Sequence, residues 1–115
     1  MKNQILIDTI KALENASEES GKAIWKALAK ELDKSKRSRV AVNLSRLDRH
    51  TEEGEVVAVP GKVLAAGDLS KPIKIAAFSF SAGAVEKIKT AKGEYMTLEE
   101  LLASGIEPSQ IRIMK

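Results

Sequence analysis

The densest run of side chains able to bind an anion lies between Lys34 and His50. This segment holds six lysines and arginines against one acid, a net charge of +5, whereas the stretches before and after it each sum to −1. The net charge of +3 therefore originates in this one segment. Arginine offers paired planar donors that match a phosphate group, and lysine adds mobile point charges. The concentration predicts a dedicated contact with a polyanion.

The candidate phosphate-binding side chains lie on both sides of Val40. Asn43 and Ser45 add neutral donors of the kind that contact phosphate and sugar, and Lys62 extends the patch from further along the chain. A short charge run is more often a solvated loop, but confinement of the charge excess to one segment favours binding. Charge alone does not separate RNA from DNA. The predicted nucleic-acid-binding residues are Lys34, Lys36, Arg37, Arg39, Asn43, Ser45, Arg46, Arg49, His50 and Lys62.

Other chemistries find little support in the residue types present. There is no cysteine, and His50 is the only histidine, so neither thiol chemistry nor a multi-histidine metal site is expected. The glycines match neither the dinucleotide fingerprint nor a P-loop. The acid pair Glu99-Glu100 lies in an expected first helical turn, where the helix dipole favours acids. We expect no enzyme activity, no cofactor and no small-molecule substrate.

Aromatic residues are scarce and none lies in the basic segment. Stacking on unpaired bases is therefore disfavoured, and recognition of folded nucleic acid through shape and backbone is favoured. Trp25, the single tryptophan, is interpreted as a core anchor at a helix interface.

The length of 115 residues and the hydrophobic fraction of 43% fit a single domain with one core. No apolar run approaches the ~18 residues of a membrane span, so we expect a cytoplasmic protein without a membrane partner. Three parts are predicted: a helical hairpin over 1–33, the basic segment over 34–50, and a strand-and-helix body over 51–115.

The hairpin is predicted from two apolar stripes at helical spacing. Leu6, Ile10 and Leu13 mark a helix over 4–16, and Ile24, Leu28 and Leu32 mark a second over about 22–33. The polar residues 17–21 separate them, with Ser20 as the expected N-cap of the second helix. A short link favours antiparallel packing.

Within the basic segment, residues 34–39 contain no apolar anchor and are predicted to form a loop ordered by its nucleic-acid partner. The alternation from Val40 to Leu44 predicts a short strand. Ser45 is expected to cap a helical turn reaching about Thr51. That turn would bring Arg46, Arg49 and His50 together on one side.

The body is predicted to run strand, strand, helix, strand, helix, strand. The β-branched run 55–59 is expected to end at a Pro60-Gly61 turn and to resume at Val63. Residues 73–80 predict a strand buried on both faces. Ser81 and the box Thr97–Glu100 predict helix starts, Gly93 is expected at a C′ position, and residues 110–114 predict the last strand. Alternation of strands and helices indicates the α/β class.

Two motifs in this sequence are familiar. The runs VNLSRLDR at 42–49 and EGEVVAVPGKVL at 53–64 resemble the archaeal and eukaryotic large-subunit ribosomal protein family called eighteen-e, a relative of bacterial ribosomal protein fifteen. Supporting matches are Ile24-Trp25, the block 36–39, the residues around Phe78 and Phe80, and the terminal 111–113. The resemblance covers nearly the whole chain.

This resemblance implies an rRNA-binding structural component of the large ribosomal subunit, without catalysis or cofactor. It also implies an N-terminal helical pair followed by an irregular β-β-α superhelix of short strands and helices. The contacts would fall on the block 34–39 and on Asn43, Arg46, Arg49 and Lys62. The expected partners are large-subunit rRNA and neighbouring ribosomal proteins, with a monomer in isolation.

Three departures from the family pattern stand out. Ser79 occupies a position that is often basic in relatives, and the expected glycine pair after the third helix reads Lys92-Gly93. The extensions of eukaryotic members are missing, which favours an archaeal type. A general nucleic-acid-binding adaptor using the same patch is the alternative function, and a small enzyme with an anionic substrate is a third.

Overall fold

The computed structural model describes residues 4–34 and 40–115. Helices precede and alternate with short strands, and a 3-10 turn at Pro108–Gln110 leads into the last strand. The α/β class and the N-terminal helical pair are confirmed, as is the order of strands and helices after residue 50. The elements are α1 Gln4–Ser20, α2 Ala23–Leu32, β1 Val40–Asn43, α3 Leu44–His50, β2 Val56–Leu64, β3 Lys74–Phe80, α4 Ala82–Thr90, β4 Glu94–Thr97, α5 Leu98–Ala103 and β5 Ile111–Ile113.

The described strands pair in parallel around the long strand β2. Strand β3 pairs with β2 from Val56 to Val63 and with β4 on its other side. The opposite edge of β2 is shared, because β5 pairs with Val56–Ala58 while β1 pairs with Gly61–Leu64. Strand β1 therefore lies at an edge of the sheet, with the basic segment continuing directly from it into α3.

Two apolar cores sandwich this sheet. Val56, Ala58 and Ala76 pack with α1, α2 and α5, whereas Val57 and Ile75 pack with α3 and α4. Adjacent residues of a strand point to opposite faces, so a strand with helices on both sides is apolar at every position. The prediction that residues 73–80 are buried on both faces is confirmed for the centre of the strand at 75–77, whereas residues 78–80 are half-buried.

The helical pair differs from expectation at its junction. Helix α1 continues through Ser20, whose hydroxyl donates to the carbonyl of Ala16 at 2.7 Å, and it ends at Gly21, with φ of 70°. The prediction of Ser20 as the N-cap of α2 is wrong, because Lys22 occupies that position. Trp25 is only 6% exposed within the core, as predicted.

The predicted turn at Pro60-Gly61 is also wrong, because β2 runs through both residues. The pairing register with β3 shifts between Val59 and Lys62, as in a β-bulge. Proline lacks an N–H and is tolerated where the ladder is disrupted. A Cβ on Gly61 would lie 2.0 Å from the carbonyl oxygen of Val40, so glycine allows β1 to approach.

The helix caps in the second half are mostly those predicted. Ser81 accepts from the N–H of Ala84, and Thr97 and Glu100 form the reciprocal capping box. Gly93 is not at C′, however. Lys92 holds that position with φ of 63°, and the N–H groups of Lys92 and Gly93 donate back into α4 in a Schellman arrangement.

Candidate nucleic-acid interface

Strand β1 and helix α3 are fixed to the body by apolar side chains. Val42 is 2% exposed, and Leu44 and Leu47 are fully buried beneath α3. The prediction that Ser45 caps this helix is wrong, because α3 begins at Leu44 and Asn43 occupies the N-cap position. Ser45 lies within the helix, half-buried, where its backbone N–H donates to the carbonyl of Ala66 at 3.1 Å.

Helix α3 presents its basic side chains on the side opposite Leu44 and Leu47. Arg46, Arg49 and His50 are all exposed. Positions three and four apart are neighbours on a helix surface, so these three side chains form one group. The structure therefore brings together the three residues that sequence reasoning placed on one side of a helical turn.

Among the described residues near β1, Arg49 and Lys62 form no ion pair with an acidic side chain. The Arg46 guanidinium donates to a backbone oxygen of Lys115 at 3.2 Å. Within 4–34 and 40–115, no hydrogen bond or ion pair engages the side chains of Arg49 or Lys62. Unpaired guanidinium and ammonium groups are available for phosphate oxygens.

Lys62 is the one exposed residue of β2. Its register partners are Ala41 of β1 and Ser79 of β3. Asn43 shares the face of Ala41 because strand side chains alternate. Asn43 and Lys62 thus lie on the opposite face of the sheet from α3. The described basic residues are therefore found on both faces of the sheet beside the edge strand β1.

Lys34 is tied to the end of α2. Its ammonium lies 3.0 Å from one carboxylate oxygen of Glu31. The other oxygen of the same carboxylate accepts from the ammonium of Lys115 at 2.7 Å. These two lysines, Lys115 first, hold the pKa of Glu31 below its ordinary value. The predicted sites Lys36, Arg37 and Arg39 lie outside the described residues.

Asp48, the one acid of the basic segment, orients α3. Its carboxylate accepts from the backbone N–H of Ser70 at 2.9 Å and from the Ser70 hydroxyl at 2.8 Å. The backbone hydrogen bond is the main cause of a lowered Asp48 pKa. Asp48 was not among the residues predicted from the sequence, although an isolated acid among cations is a signal.

The loop that receives Asp48 is itself held by Lys87. The Lys87 ammonium donates to the carbonyls of Ala65 at 2.9 Å and Gly67 at 2.6 Å. Gly67, with φ of 81°, contacts Ser45 so closely that a Cβ would lie 2.4 Å from the Ser45 Cβ. This loop and helix α3 therefore pack closely against each other beneath Arg46 and Arg49.

Arg112 is a further cation that sequence reasoning missed. Its guanidinium donates to the carbonyl of His50 at 2.6 Å and lies 3.4 Å from a carboxylate oxygen of Glu55. It comes from β5, far along the chain, and its proximity to α3 follows from the pairing of β5 with β2. A single arginine in a terminal strand carries no sequence signal for this placement.

Within residues 4–34 and 40–115, no group of three or more histidine, cysteine or acidic side chains could hold a metal ion. No helix in those ranges is long and apolar enough to cross a membrane.

The fold and this surface define a small α/β protein with an exposed cationic edge. A family model described as "Ribosomal proteins 50S-L15, 50S-L18e, 60S-L27A" matches residues 23–96. The chain belongs to this ribosomal protein family, which confirms the resemblance to the eighteen-e type.

Several archaeal proteins are similar to this chain over nearly its whole length. "Large ribosomal subunit protein eL18" of Methanoregula boonei is 41% identical over 113 residues, covering 98% of this chain and 93% of the relative. The protein of the same name from Archaeoglobus fulgidus is 39% identical over 112 residues, covering 97% and 96%. That of Methanothermobacter thermautotrophicus is 41% identical over 113 residues, covering 98% and 93%.

Proposed function

We propose that this protein is a structural constituent of the large ribosomal subunit that binds and stabilises folded rRNA through its basic segment. The name that the relatives share, large ribosomal subunit protein, supports the assignment to that subunit. The single observation that carries the RNA contact is the placement of Arg46, Arg49 and His50, exposed on a helix whose other side is buried in the core. The contact residues are Lys34, Lys36, Arg37, Arg39, Asn43, Ser45, Arg46, Arg49, His50 and Lys62.

The mode of recognition follows from the chemistry of the described surface. Guanidinium and ammonium groups bind phosphate oxygens, and the Asn43 amide at the end of β1 supplies a neutral donor for phosphate or sugar. A helix fixed by Leu44, Leu47 and Asp48 presents these groups in a constant arrangement. Constant spacing selects an RNA of matching shape, because phosphate positions differ between folds.

The role is structural rather than enzymatic, and it uses no cofactor. Neighbouring ribosomal proteins are the other partners, no membrane or small-molecule substrate is involved, and the isolated chain is a monomeric single domain. In the cell it resides in the cytoplasm as part of the large subunit.

The test compares two triple variants that remove equal charge. Arg46→Gln, Arg49→Gln and Lys62→Gln remove three cations of the interface, while Lys11→Gln, Lys89→Gln and Lys92→Gln remove three exposed lysines elsewhere. Each duplex phosphate contact contributes about −0.9 to the slope of log K against log salt. The interface variant should bind a large-subunit rRNA fragment at least tenfold more weakly, with a slope smaller by about 2 to 3.

Competition with duplex DNA separates the ribosomal role from a general adaptor. We expect the rRNA fragment to displace duplex DNA of equal length from the wild-type protein, and not the reverse. Equal competition would favour the general nucleic-acid adaptor. Equal weakening by the two triple variants would contradict the site assignment.

A further inference from the structure

Helix α2 carries a row of lysines that leads into the first residue of the basic segment. Lys22, Lys26, Lys30 and Lys34 recur every four residues, beginning just before the helix and ending just after it. We call these four residues the lysine ridge. A helix rises 1.5 Å per residue, so neighbouring members are about 6 Å apart along the axis and the ridge spans about 18 Å.

The orientation of the ridge is fixed by the core. Trp25, Leu28, Ala29 and Leu32 are buried on the other side of α2, with Leu28 and Leu32 completely covered. The ridge lysines are all exposed. The helix cannot rotate to hide them without exposing the core, so the ridge is a permanent outer surface.

The residues between the lysines leave the surface open to close approach. Ala23 and Ala27 are exposed on the same side of α2. Small side chains next to cations allow a polyanion to reach the ammonium groups without a steric barrier.

Intramolecular partners do not explain the row. Across the two described ranges, no ion pair engages Lys22, Lys26 or Lys30, and Lys34 pairs with Glu31. Glu31 is the only acid within α2, and it is shared with Lys115. Like charges four residues apart destabilise an isolated helix. A row of them that forms so few internal contacts fits a surface that meets an external anion.

The neighbouring helix has the opposite charge. The exposed side chains of α1 include Asp8, Glu14, Glu18 and Glu19 against the single Lys11. Since α1 and α2 pack against each other in one core, the helical pair has an acidic side and a basic side. A polyanion would be attracted to α2 and repelled from α1.

The ridge is connected to the interface around β1. Lys30, Lys34 and Lys115 line one cleft together with Glu31, Ala27 and Ile113, and a backbone oxygen of Lys115 accepts from Arg46. Basic side chains therefore continue from Arg46 on α3 to Lys22 at the start of α2, with Glu31 as the one acid that lines the cleft.

We infer that the lysine ridge is a second RNA-binding surface, which contacts the phosphodiester backbone of folded rRNA beside the segment held by α3. This inference rests on the proposed rRNA-binding function and extends it to α2.

The first test is the variant Lys22→Gln, Lys26→Gln, Lys30→Gln, compared with the control Lys11→Gln, Lys89→Gln, Lys92→Gln. Both remove three exposed lysines, so the loss of net charge is equal. We expect about tenfold weaker binding to the large-subunit rRNA fragment and a salt slope reduced by about 2 to 3 for the ridge variant, against under threefold for the control. Circular dichroism and thermal unfolding check that both variants are folded.

The second test identifies what lies on the ridge. Because the chain has no cysteine, Ala27→Cys carries a single photo-crosslinker between Lys26 and Lys30, and Glu18→Cys places the same reagent on the acidic side of α1. In the assembled large subunit, we expect Ala27→Cys to crosslink to rRNA and Glu18→Cys to give no rRNA product. A crosslink from Ala27→Cys to a protein would overturn the inference.

The outcomes separate the inference from the function on which it rests. If the interface variant at Arg46, Arg49 and Lys62 loses rRNA affinity while the ridge variant matches the control, only the ridge inference fails. If the wild-type protein shows no preference for rRNA, the proposed function fails and the ridge inference fails with it.

Discussion

The carboxylate of Asp48 accepts two hydrogen bonds from Ser70, one from its backbone N–H at 2.9 Å and one from its hydroxyl at 2.8 Å. The two residues are far apart in sequence, yet this contact joins the helix bearing Arg46 and Arg49 to the loop that precedes β3. An acid within a basic segment thus serves to position the cations around it.

Removal of the Asp48 carboxylate should loosen α3. Hydrogen bonds to a charged group stabilise by roughly 1.5–3 kcal/mol, and partial exposure reduces this, so we expect Asp48→Ala to lower the free energy of unfolding by about 1–2 kcal/mol. Affinity for the rRNA fragment should also fall, although the protein gains net positive charge. Denaturant unfolding and RNA titration measure the two effects.

Asp68→Ala is the matched control for this change. Asp68 is almost fully exposed, and its only described ion pair, with Lys87, spans 3.5 Å. Surface pairs of this kind contribute little. Stability loss in Asp68→Ala as large as in Asp48→Ala would contradict the role assigned to the Ser70 contact.

The acid dependence of stability should follow from the carboxylates of Asp48 and Glu31. Ser70 lowers the pKa of Asp48 from its ordinary 3.8, and Lys115 and Lys34 lower that of Glu31 from 4.5. A depressed pKa stabilises the fold above the unfolded value, and this stabilisation is lost as pH falls through the folded value. The stability difference between wild type and Asp48→Ala should therefore be constant near neutrality and shrink below about pH 3.8. A difference that stays constant down to pH 2 would argue against this linkage.

Substitution of Lys92 by glycine should stabilise the protein. Lys92 has φ of 63° at the end of α4, a conformation that strains residues with a Cβ by about 1–2 kcal/mol. The greater freedom of glycine in the unfolded chain offsets part of that gain. We expect the free energy of unfolding, measured by denaturant unfolding, to rise by about 0.5–1 kcal/mol.

Lys89→Gly is the comparison variant, and we expect it to destabilise the protein. Lys89 lies inside α4, where glycine destabilises by about 1 kcal/mol relative to the best helix formers. The prediction for Lys92 fails if both glycine variants destabilise the protein.

Gly61→Ala should separate β1 from β2. A Cβ there would lie 2.0 Å from the carbonyl oxygen of Val40, so the backbone of β1 must move. We expect the free energy of unfolding to fall by more than about 3 kcal/mol, within the range of severe core disruptions, together with weaker rRNA binding because Asn43 and α3 shift.

The control is Gly21→Ala, which changes a left-handed glycine whose Cβ direction is open. We expect this variant to lower the free energy of unfolding by about 1 kcal/mol. Similar losses in the two variants would show that close approach of β1 is not the cause.

Local signals in the sequence predicted the elements well where chemistry acts over a few residues. The capping box at Thr97, the N-cap at Ser81 and the apolar stripes of α1 and α2 are each complete within one or two helical turns, and the structure contains all of them. The errors at Ser20, Ser45 and Pro60 share one origin. At each, a residue with a strong local preference was overridden by the path of a neighbouring helix or strand.

The α/β class, the order of elements and the family could be predicted from the sequence, because periodicity, caps and the motifs at 42–49 and 53–64 each lie in contiguous residues. Which residues share a surface could not be predicted in this way. The contact of Asp48 with Ser70, the arrival of Arg112 beside His50, and the shared edge of β2 depend on strand pairing over long separations. Such pairing is set by the collective packing of two cores on one sheet, and no single segment carries that information.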